Sequence, residues 1–131
     1  MRKPQEPTSS KNSLGREAER WSRHYLEQHG LRTMEANYRT PRGEIDLIML
    51  EGNTLVFVEV RLRSNPGYAS AAQSITHAKQ QRIIASAEHY LQATKLGDKH
   101  PCRFDAVCLT KDQGNTKAYQ VEWLRDAFSL P

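Results

Sequence analysis

The chain has 131 residues, 37% of them hydrophobic and 26% charged, with 19 Lys and Arg against 15 Asp and Glu for a formal charge of +4. That length and balance suit one domain with a single core, and they exclude both an unbroken apolar run of membrane-crossing length and a charge-dominated chain with too little to bury. The basic excess favours a polyanionic partner, but it is too mild to identify one.

The first twelve residues, MRKPQEPTSSKN, combine charge with Pro and Ser and lack the apolar stretch of a secretory signal. They are expected to form a disordered tail, leaving residues 13–131 as one domain in the cytoplasm. From Leu14 to His29 the positions Leu14, Ala18, Trp21, Ser22, Tyr25 and Leu26 recur at helical spacing, and Gly30 follows as a stop. LRTMEANYRT then reads as a weakly alternating strand, broken by Pro41, Arg42 and Gly43 before the stronger run GEIDLIMLE. Gly52-Asn53 separates that run from TLVFVEVRLR, and two β-rich runs around such a pair predict a hairpin. Residues 64–74 read as a loop into a long helix from about Ile75 to Lys95, with Ile83, Ile84, Ala87, Tyr90 and Leu91 toward the core and Gly97 as its end. The strand CRFDAVCLT, the turn DQGN, a strand near KAYQVEW and a short helical turn through Phe128 and Leu130 complete the chain. A helix between the strand at 55–62 and the one at 102–110 makes those two parallel. The fold is therefore expected to be α/β, with a central mixed sheet flanked by helices. Cys102 and Cys108 share one strand and would lie about 20 Å apart, too far for a disulfide. Both are expected to be buried free thiols, as suits a reducing compartment.

The chemistry concentrates in the hairpin. In TLVFVEVRLR both faces are largely apolar, which marks a central strand covered on both sides, so Glu59 is costly to bury without compensation. With Gly52 and Asn53 as the two turn residues, Glu51 pairs with Thr54, and counting outward sets Asp46 opposite Glu59 and Glu44 opposite Arg61. Opposed carboxylates about 5 Å apart repel unless a cation lies between them, and an oxygen donor set of this kind suits Mg²⁺. The competing reading is a buried ion network in which Arg42, Arg61 or Arg63 neutralises the pair. Glu44 reads as an ordinary cross-strand partner of Arg61 and is left out of the ligand set.

Gly15, Glu19, Ser22, Tyr25 and Leu26, then Arg42 to Ile48 (RGEIDLI), Phe57 to Arg61 (FVEVR), Lys79 with Arg82, and Arg103 to Asp105 (RFD) form an ordered set of motifs across Leu14 to Leu109. The set resembles the YraN-like family of small bacterial proteins and, more distantly, the restriction-endonuclease-like PD-(D/E)xK superfamily, which includes Holliday-junction resolvases. The resemblance implies an αβββαβ core and a divalent-metal nuclease using Mg²⁺ or Mn²⁺ on DNA, with branched DNA favoured and DNA preferred over RNA. It also implies that Asp46, Glu59 and Glu19 are metal ligands, and that a homodimer is an expected state. Periodicity alone does not choose between Glu17 and Glu19; the resemblance selects Glu19. Arg61 stands where the motif carries lysine. Arginine stays protonated, so it cannot act as a base, but its planar fork suits a scissile phosphate or the negative charge of a transition state. Catalytic roles are accordingly expected for Asp46, Glu59, Arg61 and Glu19, and nucleic-acid contacts for Arg42, Arg61, Arg63, Lys79 and Arg82. Lys79 is also the candidate for a displaced motif lysine. Gln80, on the apolar side of the helix start, is expected either to point at the carboxylates or to cap a loop. Asp105 is read as structural. A second function class remains, a nucleic-acid-binding module that keeps the nuclease fold without catalysis.

Overall fold

The computed structural model describes residues 13–63, 75–112 and 115–129, without the side chains of 112–118. The expected N-terminal tail, the loop over 64–74, part of the DQGN turn and Leu130 lie outside the described residues.

Among the described residues the order is α1 (Ser13–Gln28), β1 (Arg32–Thr40), β2 (Gly43–Glu51), β3 (Thr54–Arg63), α2 (His77–Thr94), β4 (Cys102–Asp112) and β5 (Asn115–Phe128). The strands form one sheet in the order β1-β2-β3-β4-β5, with β3 and β4 parallel and the other neighbours antiparallel. This is the expected mixed sheet with αβββαβ order. One helix covers each face. Ala18 and Leu26 of α1 pack on Leu47, Met49, Val56 and Val58, whereas Ile83, Ile84, Ala87 and Tyr90 of α2 pack on Ile45, Ile48, Leu55 and Phe57. No described helix is long and apolar enough to cross a membrane.

The start and stop signals work as their chemistry requires. Gly30 takes φ 96°, Leu31 N–H donates to Leu26 O, and Gly30 N–H donates to Glu27 O, a Schellman ending with both leucines buried on the α1 side. Thr76 caps α2 by accepting from Lys79 N–H. That helix ends at Lys95 (φ 60°), whose N–H donates to Leu91 O, and not at Gly97, which lies in the short 3₁₀ turn Leu96–Asp98. In the hairpin, Gly52 carries the positive φ of 59°, as two-residue loops with glycine first require. Glu51↔Thr54 through Leu47↔Val58 then pair in the expected register.

Two expectations fail at the C-terminal side. Among the described residues the predicted helical turn is not formed, because β5 runs on to Phe128. It continues past an irregularity opposite Phe104–Ala106: Asp126 takes φ 54° and its N–H donates to Asp105, after which Phe128 stacks on Phe104 at 5.0 Å. Neither cysteine is in a disulfide, as expected, but only Cys108 is buried and Cys102 is exposed, because it begins β4 at the sheet margin.

Asp105, fully buried, receives Arg103 Nε at 2.9 Å, Arg103 Nη2 at 3.1 Å, Trp123 Nε1 at 3.0 Å and Asp126 N–H at 2.9 Å. It is a structural clamp joining β4 to β5. Arg103 also binds Glu51 at 2.7 Å, and Arg125 binds the same oxygen at 2.6 Å while lying over the Trp123 ring. The hydrogen bond from Arg125 and then that from Arg103 hold the Glu51 carboxyl below its ordinary value of 4.5 against the opposing effect of burial. The native state therefore binds this proton less tightly than the unfolded chain. Its contribution to stability is complete above the unfolded value and disappears as pH falls through the lower native one. Acid titration of thermal unfolding is expected to show stability falling below about pH 4.5, with Glu51→Gln flattening that slope. An unchanged slope in the variant would refute the assignment.

Candidate metal and phosphate site

The site forms where the β2–β3 ladder ends. The last pair is Leu47↔Val58, and beyond it the Asp46 carboxylate accepts the Val60 N–H at 2.8 Å. In a regular antiparallel continuation that N–H would go to a carbonyl of β2. The strand is irregular here. Ile45 and Ile48 both lie on the α2 side while Leu47 and Met49 lie on the α1 side, so side-chain alternation breaks at Asp46. Asn37, at φ 54° between the pairs Ala36↔Leu47 and Tyr38↔Ile45, distorts β1 at the same level. A distortion of this kind re-aims a side chain. Here it brings Asp46 to α1.

One carboxylate oxygen from each of Glu19, Glu44 and Asp46 lies within 4.8 Å of the other two. Glu19 reaches the group from α1 and, like Asp46, is buried. Glu17 does not join it; exposed on the same helix, it accepts a hydrogen bond from Tyr119 Oη at 3.0 Å. Glu44 is the residue sequence reasoning left out. Its expected partner was Arg61, but its ion pair is with Arg39 at 3.6 Å, because the β1–β2 register sets Arg39 opposite it. The available signal was local: Glu44 and Asp46 are two apart on one strand and share a face.

Glu59, also expected as a ligand, is buried but is not one of the three. It follows the alternation of Leu55 and Phe57 toward α2, where its Oε2 lies 3.6 Å from Lys79 Nζ and 3.9 Å from Arg61 Nη1. Of the remaining expected contacts, Arg42 is exposed in the β1–β2 turn, Arg82 is exposed one turn along α2 from Lys79, and Arg63 ends β3. Thr40 Oγ1 and Ser86 Oγ, 3.0 Å apart, tie that turn to α2 and so hold Arg42 and Arg82 on neighbouring elements. Gln80 caps the entry to α2, with Nε2 donating to Ile75 O at 3.1 Å.

Three acidic oxygen donors at this separation fit a hard divalent cation such as Mg²⁺ or Mn²⁺, which takes few protein carboxylates and keeps room for water or phosphate. Like charges at such distances repel, and the Val60 N–H on Asp46 and Arg39 beside Glu44 offset part of that repulsion.

Residues 18–109 match the model of a family described as uncharacterised protein family UPF0102. The chain belongs to this family. A UPF0102 protein of Nitrosococcus oceani is 49% identical over 116 residues, covering 88% of this chain and 91% of the relative. That of Nitrosomonas europaea is 49% identical over 120 residues, 92% of this chain and 97% of the relative. That of Pseudomonas syringae pv. syringae is 40% identical over 120 residues, 92% and 96% respectively. The UPF0102 match runs from Ala18 within α1 to Leu109 within β4, and thus includes every residue of the carboxylate group and its flanking cations.

Proposed function

We propose that this UPF0102 protein is a cytoplasmic, Mg²⁺- or Mn²⁺-dependent phosphodiesterase acting on DNA, with branched or structured DNA as the favoured substrate. The observation that carries the reading is the convergence of Glu19, Glu44 and Asp46 within 4.8 Å at the frayed end of a hairpin. The αβββαβ order and the resemblance of the RGEID and FVEVR motifs to restriction-endonuclease-like enzymes support it. A bound cation would supply charge neutralisation for an attacked phosphate. The chain's own residues would hold the donors in place. Val60 N–H fixes one Asp46 oxygen, α1 presents Glu19, and Arg39 restrains Glu44. Arg61, its side chain 40% exposed, would meet substrate phosphate through its fork and would move no proton.

Calorimetric titration with Mn²⁺ and cleavage of four-way junction, flap and single-stranded DNA test the proposal together. Uptake of cation and cutting of at least one substrate are expected, whereas no uptake even with DNA present would sink it. The fixed charge of Arg61 in the lysine's place favours one second reading, a DNA-binding module that has lost catalysis. Under that reading the wild type binds DNA without cutting it, and Arg61→Lys restores cutting. Under the first, Arg61→Lys retains cutting and changes its pH profile on the alkaline side, because a lysine amine loses its proton at a lower pH than a guanidinium.

A further inference from the structure

Ser22 lies in the middle of the stripe that α1 turns to the sheet, one turn from Ala18 on one side and from Leu26 on the other, and it is fully buried. Both of those neighbours are apolar and pack on Leu47, Met49, Val56 and Val58. A small residue at this place lets the helix approach the sheet closely, but alanine would serve as well. Alanine is the better helix former and brings no polar atom into the core. The Ser22 hydroxyl is buried with no hydrogen-bond partner among the described residues. It does not bond back to the Ala18 carbonyl, a common outlet for a serine inside a helix. A buried hydroxyl without a partner is destabilising, so neither packing nor helix stability accounts for this one.

The helix sets where that hydroxyl points. Residues three apart on a helix are neighbours on one face, and side chains tilt toward the N-terminus. From Ser22 the tilt leads back over the turn that carries Glu19, which is likewise buried and gives one oxygen to the group it forms with Glu44 and Asp46. Glutamate carries its carboxylate oxygens two carbons further from the backbone than serine carries its hydroxyl. The Ser22 oxygen therefore stands behind the carboxylates, on the helix side of the group.

We propose that Ser22 is a positioning residue of the cation site, its hydroxyl oxygen accepting a hydrogen bond from water in the hydration shell of a divalent ion held by Glu19, Glu44 and Asp46. This rests on the cation-dependent reading above and deepens it by naming a neutral group behind the acidic ones. Mg²⁺ and Mn²⁺ held by few carboxylates keep water, and water enclosed in protein needs polar partners. Such a water turns its lone pair to the ion, so its hydrogens need acceptors. The Ser22 oxygen is an acceptor that adds no fourth negative charge to the three already present.

Calorimetric titration with Mn²⁺, paired with thermal unfolding in EDTA, tests this on the wild type, Ser22→Ala and Ser22→Cys. Both variants are expected to bind Mn²⁺ about 10- to 100-fold more weakly, the loss that follows removal of a group supporting a metal's ligands. Cysteine is included because it keeps nearly the volume of serine while its sulfur is a weak acceptor. In EDTA, Ser22→Ala is expected to melt at or above the wild-type temperature, since it removes a buried hydroxyl that has no partner in the protein. A serine with a purely structural role gives the opposite pair of results, a lower melting temperature and an unchanged affinity. Wild-type Mn²⁺ affinity in Ser22→Ala overturns the proposal and leaves the carboxylate site standing. A lower melting temperature of Ser22→Ala in EDTA also overturns it, because the hydroxyl then has a partner within the fold. Absence of Mn²⁺ uptake by the wild type removes the cation site itself, and the role of Ser22 with it.

Discussion

Asp46→Asn is expected to abolish Mn²⁺ uptake in calorimetry and to lower DNA cleavage by at least about a hundredfold, the scale at which loss of one aligned charge is felt in an active site. The substitution is chosen because asparagine keeps a side-chain oxygen for the Val60 N–H, which Asp46 accepts at 2.8 Å, so the strand end is retained while the charge is removed. It carries a second, opposite expectation for stability. Like charges repel at close range, and Asp46 faces two carboxylate neighbours within 4.8 Å in Glu19 and Glu44. Removing one charge is therefore expected to raise the melting temperature in EDTA, while Mn²⁺, which stabilises the wild type by binding the folded state, no longer shifts it. Function and stability should move in opposite directions at this residue. Identical Mn²⁺-dependent shifts in wild type and variant would show that the carboxylate group is not a cation site.

Asp105→Ala is expected to produce the largest loss of stability of any single change considered. It removes the acceptor for Arg103, Trp123 Nε1 and the Asp126 N–H at a fully buried position. Breaking one partner of a buried ion pair typically costs about 3 to 5 kcal/mol, and for a chain of this size that corresponds to a fall in melting temperature on the order of 10 to 20 °C. The damage is expected to be centred on the β4–β5 pairing. Arg103→Leu in the same chain should recover part of the loss, since it takes away the stranded cation, although Glu51 then keeps only its bond to Arg125. Thermal unfolding of the two single variants and the double variant forms a cycle that measures the coupling. A loss below about 1 kcal/mol for Asp105→Ala, the level of an ordinary neutral hydrogen bond, would rule out the clamp.

Much of the fold was legible because several local signals agreed with the global arrangement. The stripe from Ala18 to Leu26, with Gly30 behind it, specified α1 and its buried face. The Gly52 turn specified the hairpin register down to Leu47↔Val58. The face of α2 was read from Ile83, Ile84, Ala87 and Tyr90, all of them buried. The candidate site was legible in composition but not in geometry. Counting by strict alternation from the turn assumes a regular strand, and β2 stops being regular at Asp46. A distortion spread over Asn37 on one strand and Asp46 on the next has no signature in either segment read alone, because asparagine is an unremarkable residue in a weak edge strand. For the same reason Glu44 was paired with Arg61 by counting across the hairpin, when its partner came from the other neighbour, Arg39. The C-terminal strand is expected near KAYQVEW with a helical turn after it, but it runs on to Phe128 through Asp126. That residue's left-handed backbone is held by Asp105, a contact 21 residues away in sequence that no window of local pattern contains.

The bond from Val60 to Asp46 gives the protein a built-in spectroscopic reporter. A main-chain amide that donates to a carboxylate has a proton resonance displaced according to the charge on that carboxylate. In a ¹⁵N-labelled sample the Val60 cross-peak will therefore track what happens at Asp46 without any probe being attached. Protonation by acid, capture of a diamagnetic ion such as Mg²⁺ and broadening by paramagnetic Mn²⁺ would each move or erase that one peak in a different way, while the amides of Met49 and Val56, a few residues back along the same hairpin, serve as an internal reference.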